Sequence, residues 1–413
     1  MDDFLPGEIE KWQWLENKAR IFFEAQGYKE IRTPILEPLE LFIRSLGDGS
    51  DIVHKEMYAF KDRGGREIVL RPEMTASVAR AVIENHLLKK SRLVRLYYVG
   101  PMFRGERPQA GRKRQFHQIG IELVGEPASG GDTEAISILI RFLRYVGLEK
   151  VELQMNHLGC PKDRPSLTAA LKDYFSKEKD KLCSDCHYRL EHNVLRVFDC
   201  KNPDCQPVIQ KAPWEDLCAN CQAGWEEVQK KLKTEHGIDF KVEKRLVRGM
   251  DYYTGTVFEV VAEGLGAQDA VAGGGRYDGL YESLGGDAAA ATGFSIGMER
   301  LLKALEETGK DPLTILQSQR IYFASLVRDP KERAVAQEQA LRLREAGFSI
   351  EVTPDETSLS VHLKHANQLG LRYVLICGED ELKQNKISLK DLEKHTQKEI
   401  NLAELLPVLR ELV

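Results

Sequence analysis

Over residues 116–123 the side chains alternate strictly. Phe116, Gln118, Gly120 and Glu122 fall on one face of an extended chain, and Ile119, Ile121 and Leu123 on the other. With LVRLYYVGPMF just before it, this stretch predicts two antiparallel strands joined by a basic loop. A half-buried strand ordinarily turns its polar face to water. Here that face holds an aromatic ring, an amide and a carboxylate around a glycine, which leaves room for a ligand against the backbone.

Elsewhere the pattern changes period. Ile9, Trp12, Leu15, Ala19, Phe22 and Phe23 recur at helical spacing over about residues 8–26. IRTPILEP then reads as extended chain, with Pro34 and Pro38 disfavouring helix nearby. EIVLR at 67–71 predicts a strand that runs into Pro72-Glu73-Met74-Thr75 and a helix, TASVARAVIENHL. Asp132 is expected to N-cap a helix ending at Gly147. From about 160 to 240 the chain is charged, cysteine-rich and mainly helical, and reads as an insertion. Strands return in KRLVRGMDYYTGTVFEVVAEG, followed by a glycine-dense run containing GGGRYDG at 273–279. GFSIGMERLLKAL at 293–305 predicts a short strand leading into a helix. From Arg320 onward strand, helix, strand, helix and strand alternate, as in RIYFASLV, ERAVAQEQALRLREAG, FSIEV and RYVLICG. This predicts a compact α/β domain of roughly 95 residues.

Length and composition narrow the class. A chain of 413 residues suggests two or three domains. At 42% hydrophobic and 30% charged it has the balance of a soluble protein with ample core. The net charge of −5 excludes a polybasic nucleic-acid binder, so contact with a polyanion must come from local patches. The start, MDDFLPGEIEKWQWLENKAR, lacks the apolar region of a signal peptide, and no stretch is apolar enough to span a bilayer. A cytosolic location is expected.

One such patch is the hairpin loop. Arg107, Arg112, Lys113 and Arg114 lie there without an acid, just after Arg104 and Glu106. A cationic loop beside a polar-floored strand suits a polyanion held next to a small polar molecule. No G-x-x-x-x-G-K-[ST] and no strand-to-helix G-x-G-x-x-G occurs, so a nucleotide would be held by arginines. Arg104, Arg112, Arg248 and Arg300 are the candidates. Six of the eight cysteines form three close pairs: Cys183 and Cys186, Cys200 and Cys205, Cys218 and Cys221. In a reducing compartment this clustering points to metal, with the spacing of a structural tetrathiolate zinc site built from four of the six. Cys160 and Cys377 stand apart and read as packing residues.

Antiparallel strands with arginine clamps resemble the class II aminoacyl-tRNA synthetases, and within them the histidyl-tRNA synthetase family. IRTPILEPLELF is similar to motif 1 of that class, FRGERPQAGRKRQFHQIGIELVG to motif 2 and GFSIGMERLLKAL to motif 3. LVRGMDYYTGTVFEV and GGGRYDGL resemble the two histidine-specific segments, and LRPEMTA the amino-acid-binding turn. Met74 and Gly255 depart from the family pattern, where glycine and a larger residue respectively are frequent.

The resemblance implies an α+β fold: a class II antiparallel sheet flanked by helices, a helical insertion and a C-terminal α/β anticodon-binding domain. The expected domains are 1–159 with 241–318, 160–240, and 320–413. It implies ligation of histidine to tRNA(His) through a histidyl-adenylate, with ATP, Mg²⁺ and a homodimer formed through motif 1. Glu73 and Thr75 would hold the histidine ammonium, with Gln118 nearby. Glu122 and Tyr253 would reach the ring, and Tyr252 and Tyr277 would line the pocket. Arg104 would meet the α-phosphate and Arg300 the γ-phosphate, with Phe116 on adenine, Glu106 at its edge and Arg112 in the mobile loop. Arg248 would stabilise charge at the reacting phosphate. The alternative is a regulatory subunit of histidine synthesis that shares the fold without aminoacylation.

Overall fold

The computed structural model describes residues 3–47, 50–106, 113–214, 216–262, 265, 270–353 and 358–412. The chain divides into two compact units, Met1–Phe4 with Trp12–Gly309, and Leu5–Lys11 with Lys310–Val413.

In the first unit the strands are β1 (Lys29–Glu30), β2 (Leu36–Pro38), β3 (Tyr58–Lys61), β4 (Glu67–Leu70), β5 (Val94–Phe103), β6 (Gln115–Val124), β7 (Val151–His157), β8 (Lys241–Val242), β9 (Thr254–Ala262), β10 (Ala270–Arg276) and β11 (Ala291–Gly297). Eight of them form one sheet in the order β1-β5-β6-β11-β10-β9-β7-β8. Its inner pairs are antiparallel, and the two-residue edge strands β1 and β8 join in parallel. Short edges of this kind leave little unpaired backbone open to another chain.

The alternation read from the sequence sets the two faces. Phe294, on the face opposite Gly293 and Ser295, packs near Phe23 of the helix Glu8–Ala25. Phe23 in turn lies 4.9 Å from Phe142 of the helix Ala128–Tyr145. Those helices cover one face of the sheet and leave the glycine-rich face for the site. The helical segment after β7 contributes Leu171, Phe175, Val197 and Ile209 to the hydrophobic cluster that also contains Tyr252, Tyr253 and Tyr277.

Two local expectations are corrected. Asp132 is not an N-cap. The helix begins at Ala128 after Pro127, and Asp132 lies inside it, fully buried and bonded to Arg276. Pro38 does not keep helix away either. It ends β2 and stands at the N-cap of the helix Leu39–Leu46, where a missing N–H costs nothing. A small sheet in the order β2-β4-β3 lies here. Its buried face holds Val69 and Glu37, the latter bonded to Arg80 at 2.8 Å. By alternation its other face carries Leu36, Pro38, Tyr58, Phe60, Ile68 and Leu70, of which the first four are exposed.

The second unit contains β12 (Arg320–Ser325), β13 (Ser349–Val352), β14 (Tyr373–Cys377), β15 (Lys386–Asp391) and β16 (Thr396–Asn401), in the order β13-β12-β14-β15-β16. The first three are parallel, as the strand–helix alternation predicts, and β15 and β16 add an antiparallel hairpin. Ile321 and Phe323 pack with Ala336, Leu343 and Leu409 on one face, and Tyr322 and Ala324 with Ala366 on the other.

Candidate active site

Register brings the site together. Glu259, Gly273, Ser295, Gly120 and Tyr98 face one another in a single row across β9, β10, β11, β6 and β5. Directly opposed residues of antiparallel strands point to the same side. One step along on that side, Gly275, Gly293 and Glu122 form a second row. Glycines therefore floor the centre, and long polar side chains reach over them. A Cβ on Gly293 would collide with the Glu122 carboxylate, and one on Gly273 with the Arg248 guanidinium.

Glu122 is fully buried, and both its oxygens have partners. Thr75 Oγ1 donates to one at 2.7 Å, and the Tyr277 hydroxyl donates to the other. Burial dominates its acidity and pushes the pKa up to about 8, with the nearby Glu73 charge adding to the rise and the two hydroxyl donors opposing it. Glu73 is also buried and raised, again by burial first. Its oxygens accept the backbone N–H groups of Thr75 at 2.7 Å and Ala76 at 2.9 Å, at the start of the helix Thr75–Glu84. Glu73 thus both caps that helix, as a carboxylate at a helix N-terminus is expected to, and reaches the pocket. The Tyr252 hydroxyl stands 3.4 Å from it. The rings of Tyr252 and Tyr253 lie 4.6 Å apart, and those of Tyr252 and Tyr277 5.6 Å. Six of the predicted histidine-site residues, Glu73, Thr75, Glu122, Tyr252, Tyr253 and Tyr277, converge here.

Gln118 lies one register step beyond Gly120. Its amide donates to Ser295 Oγ at 3.3 Å, and its buried Oε1 has no partner among the described residues. An unmet buried acceptor costs about 1–3 kcal/mol, which a ligand donor recovers.

The predicted room above Gly120 is filled. The Tyr98 hydroxyl and the Phe294 carbonyl occupy the place a Cβ would take. Tyr98 is 1% exposed, and burial, then the charges of Glu122 and Glu73, lift its phenol well above the usual range. It is a site residue that the sequence reading missed.

Arg248 lies against Gly273 and donates to the Glu259 carboxylate, a partner also missed. Its loop is braced by Arg196, which donates to the Gly249 carbonyl and bonds Asp51 at 2.9 Å. Arg104 donates to the Pro72 carbonyl at 2.9 Å, lies 5.1 Å from the centre of the Phe116 ring and stands 3.9 Å from Glu106. Arg104, Glu106 and Phe116 are thus one group at the far end of the hairpin. Arg300, in the helix Met298–Glu307, donates to the Ala270 carbonyl at 2.8 Å. Arg112 lies outside the described residues.

Next to Tyr277 in the chain, the buried Arg276 bonds Asp132 of the helix Ala128–Tyr145 at 2.9 Å through Nε and Asp278 at 2.8 Å through Nη1. Asp278 accepts the Ala291 N–H at 2.9 Å, so Tyr277 sits between two fixed neighbours. Gly255 adopts φ of +59°, which a residue with a bulky side chain would hold only under strain.

The cysteines divide. Cys183, Cys186, Cys200 and Cys205 place their sulfurs within 4.8 Å of one another, and all eight cysteines are free thiols. Cys218 and Cys221 belong to a second group with Cys160 and Asp163. Cys160 therefore does not stand apart from the other cysteines, as the sequence suggested. Cys377 is buried in the second unit, as expected.

Residues 1–171 and 208–301 match the family model of histidyl-tRNA synthetase, and residues 321–412 that of an anticodon binding domain. The histidine–tRNA ligase of Pelotomaculum thermopropionicum is 43% identical over 99% of this chain and 96% of its own length. The apo histidyl-tRNA synthetase of S. aureus superposes with a TM-score of 0.74 at 31% identity, covering 99% of this chain and 98% of that one. A Bacillus halodurans C structure described as an ATP phosphoribosyltransferase regulatory subunit/histidyl-tRNA synthetase superposes at 0.61 with 24% identity over 92% of this chain and 97% of that one, which shows a shared fold. The full-length ligase matches leave the regulatory alternative the less supported of the two.

Proposed function

The chain belongs to the histidyl-tRNA synthetase family and acts as a histidine–tRNA ligase, and we propose that the residues gathered over the glycine floor perform the chemistry in the following roles. Free histidine offers an ammonium, a carboxylate and a ring with one donor and one acceptor. Glu73, Thr75 and the open Gln118 Oε1 receive the ammonium. Glu122, with Tyr253, meets the ring, and Tyr252 and Tyr277 close around it. A pocket of such polar groups rejects analogues lacking the ring nitrogens by roughly 10⁴–10⁵-fold, because its own atoms would go unpaired.

MgATP lies along the arginines. Arg104 takes the α-phosphate, Arg300 the γ-phosphate, Phe116 the adenine face and Glu106 its edge, with Arg112 reaching in from the loop. The histidine carboxylate attacks the α-phosphorus. A carboxylate–phosphorus bond forms as the bond to the β-phosphate oxygen breaks and pyrophosphate leaves. No general base is required, since the carboxylate is ionised at neutral pH. Arg248 neutralises the charge that builds on the α-phosphate. A ribose hydroxyl at the 3′ end of tRNA(His) then attacks the histidyl carbonyl and AMP departs.

One observation carries this reading. Arg248 over Gly273 and Glu122 over Gly293 are diagonal neighbours on one face of β10 and β11. Such positions lie about 7–8 Å apart, enough to set a reacting phosphate beside a ring-binding carboxylate.

The catalytic core comprises 1–159 and 241–318, the cysteine-rich insertion 160–240, and the anticodon-binding domain 320–413. The exposed apolar face of the β2-β4-β3 sheet supports a homodimer through the motif 1 region, because such a face is costly in water. Among the described residues no helix is long and apolar enough to cross a membrane. Zn²⁺ at Cys183, Cys186, Cys200 and Cys205 is part of the same reading. The Cys183 and Cys200 sulfurs lie 3.8 Å apart, and a zinc tetrahedron with bonds near 2.3 Å has sulfur edges of about 3.8 Å. The Cys183 N–H also points at Cys205 Sγ at 3.2 Å, and the Asn202 N–H at Cys200 Sγ at 3.4 Å, so backbone donors face two of the four sulfurs.

Histidine-dependent exchange of pyrophosphate into ATP, followed by charging of tRNA(His), tests the proposal. Exchange without any change on Arg248→Ala or Glu122→Gln would remove the assigned roles.

A further inference from the structure

We infer that Cys160, Asp163, Cys218 and Cys221 form a second metal site, separate from the four-cysteine cluster, which holds Zn²⁺ and ties the start of the helix Ala219–Thr234 to the turn at Gly159, whose backbone is bonded to Gly255 close to Tyr253. This goes beyond the ligase reading and does not depend on it.

Three thiols and a carboxylate arrive from two distant segments, and their ligand atoms all lie within 4.8 Å of one another. The first segment is a turn after β7. Gly159 takes φ of +73°, and a Cβ there would stand 2.7 Å from Asp163 Cβ, so the chain folds tightly enough to set Cys160 beside Asp163. The Asp163 and Arg164 N–H groups close the turn on the Cys160 carbonyl at 3.0 and 3.1 Å. In the second segment Cys218 is the N-cap of the helix Ala219–Thr234, and Cys221 lies in its first turn. Cys183 and Cys186 are arranged in the same way at the helix Ser184–His192 of the first cluster. Both C-x-x-C pairs therefore present two sulfurs from a helix N-terminus.

Asp163 joins the two segments. One carboxylate oxygen accepts the Cys160 N–H at 3.2 Å and the other the Cys218 N–H at 3.3 Å. A carboxylate has about four lone-pair sites, so these bonds orient it and leave a pair for a metal. Three thiolates and one carboxylate complete a four-coordinate shell, and soft sulfur ligands select Zn²⁺ over Mg²⁺ or Ca²⁺. Zinc entry displaces the thiol protons and changes no oxidation state.

The position has a consequence. Gly159 accepts the Gly255 N–H at 3.0 Å, the Leu158 N–H bonds the Gly255 carbonyl at 2.7 Å, and Arg164 donates to the Tyr253 carbonyl. An ion at Cys160 thus holds the start of the helix Ala219–Thr234 to the backbone that carries Tyr253.

Metal analysis of protein purified under reducing conditions decides it. Two zinc ions per wild-type chain are expected, one in Cys160→Ser, one in Cys186→Ser and none in the double variant. If Cys160→Ser does not fold, stepwise mercurial titration of the wild-type protein with a zinc dye should release two equivalents. One zinc per wild-type chain, lost in Cys186→Ser and kept in Cys160→Ser, would overturn the second site and leave the first standing. No zinc in wild-type protein would overturn both.

Discussion

The Arg248 guanidinium lies against the backbone of Gly273, in the space any side chain on that residue would occupy. The arginine and the bare strand beneath it are one device. Arg248→Ala should cost about 3–4 kcal/mol in activation, the range for removing a preorganised charge-stabilising group. Gly273→Ala should reach a similar loss of kcat by displacing an intact arginine, while the KM for histidine changes little. Pyrophosphate exchange at saturating substrates measures both. A Gly273→Ala enzyme with wild-type kcat would show that Arg248 need not lie where it is found.

The raised pKa of Glu122 makes histidine binding depend on pH. Burial holds this carboxyl near 8, so at pH 7 the free enzyme carries a proton there. In the unfolded chain the group ionises near 4.3. Its folded pKa is the higher, so its contribution to stability is fully present below about 4.3 and is lost as pH rises through 8. Histidine brings a cationic ammonium that favours the ionised form. Above about pH 7 the ligand ring is mostly neutral. Binding should then release part of one proton and tighten with pH. Calorimetry in buffers of different ionisation enthalpy counts the proton, and Glu122→Gln should abolish both the count and the slope. A zero count in the wild type at pH 7 would sink this account.

Periodicity carries far in this chain where the signal is local. The β5–β6 hairpin, the strand and helix of 293–305 and the parallel part of the second unit follow from alternation and spacing alone. Three of the failures share a cause, since each depends on a partner distant in sequence. Asp132 has the local character of an N-cap, but its partner Arg276 is 144 residues away. Gly120 reads as open space until the register sets Tyr98 opposite it. Cys160 looks solitary because the turn at Gly159 and the helix start at Cys218 meet only in the fold. The β15–β16 hairpin was missed because β16 is exposed along most of its length and has little apolar pattern.

The buried Arg276–Asp132 pair predicts a stability effect. Their side chains are 4% and 1% exposed. Removing one member of such a pair leaves an uncompensated charge and costs about 3–5 kcal/mol. Asp278 still contacts Arg276, so Asp132→Ala should fall near the low end of that range. Urea unfolding measures it. Arg276→Met in the Asp132→Ala background should recover much of the loss, because the stranded charge is then gone. A double variant less stable than Asp132→Ala would contradict that explanation.

Tyr98 and Gly120 give the sharpest test of the pocket floor. A methyl group on Gly120 meets both the Tyr98 hydroxyl and the Phe294 carbonyl, one a side chain that can swing away and the other backbone that cannot. Gly120→Ala should therefore destabilise by about 1–3 kcal/mol, the cost of overpacking a filled interior. Removing the Tyr98 ring in addition relieves only the first clash, so Gly120→Ala with Tyr98→Leu should not return to wild-type stability. Tyr98→Phe alone keeps the ring and deletes a buried hydroxyl beside Glu122 and Glu73. It should weaken histidine binding and leave the KM for ATP unchanged, because the groups around it are Glu122, Glu73, Tyr253 and Thr75 and not the arginines proposed to hold the phosphates. Thermal unfolding and the two KM values separate these effects. A Gly120→Ala protein as stable as wild type would mean that the strand relaxes, and that the floor is not fixed by Tyr98.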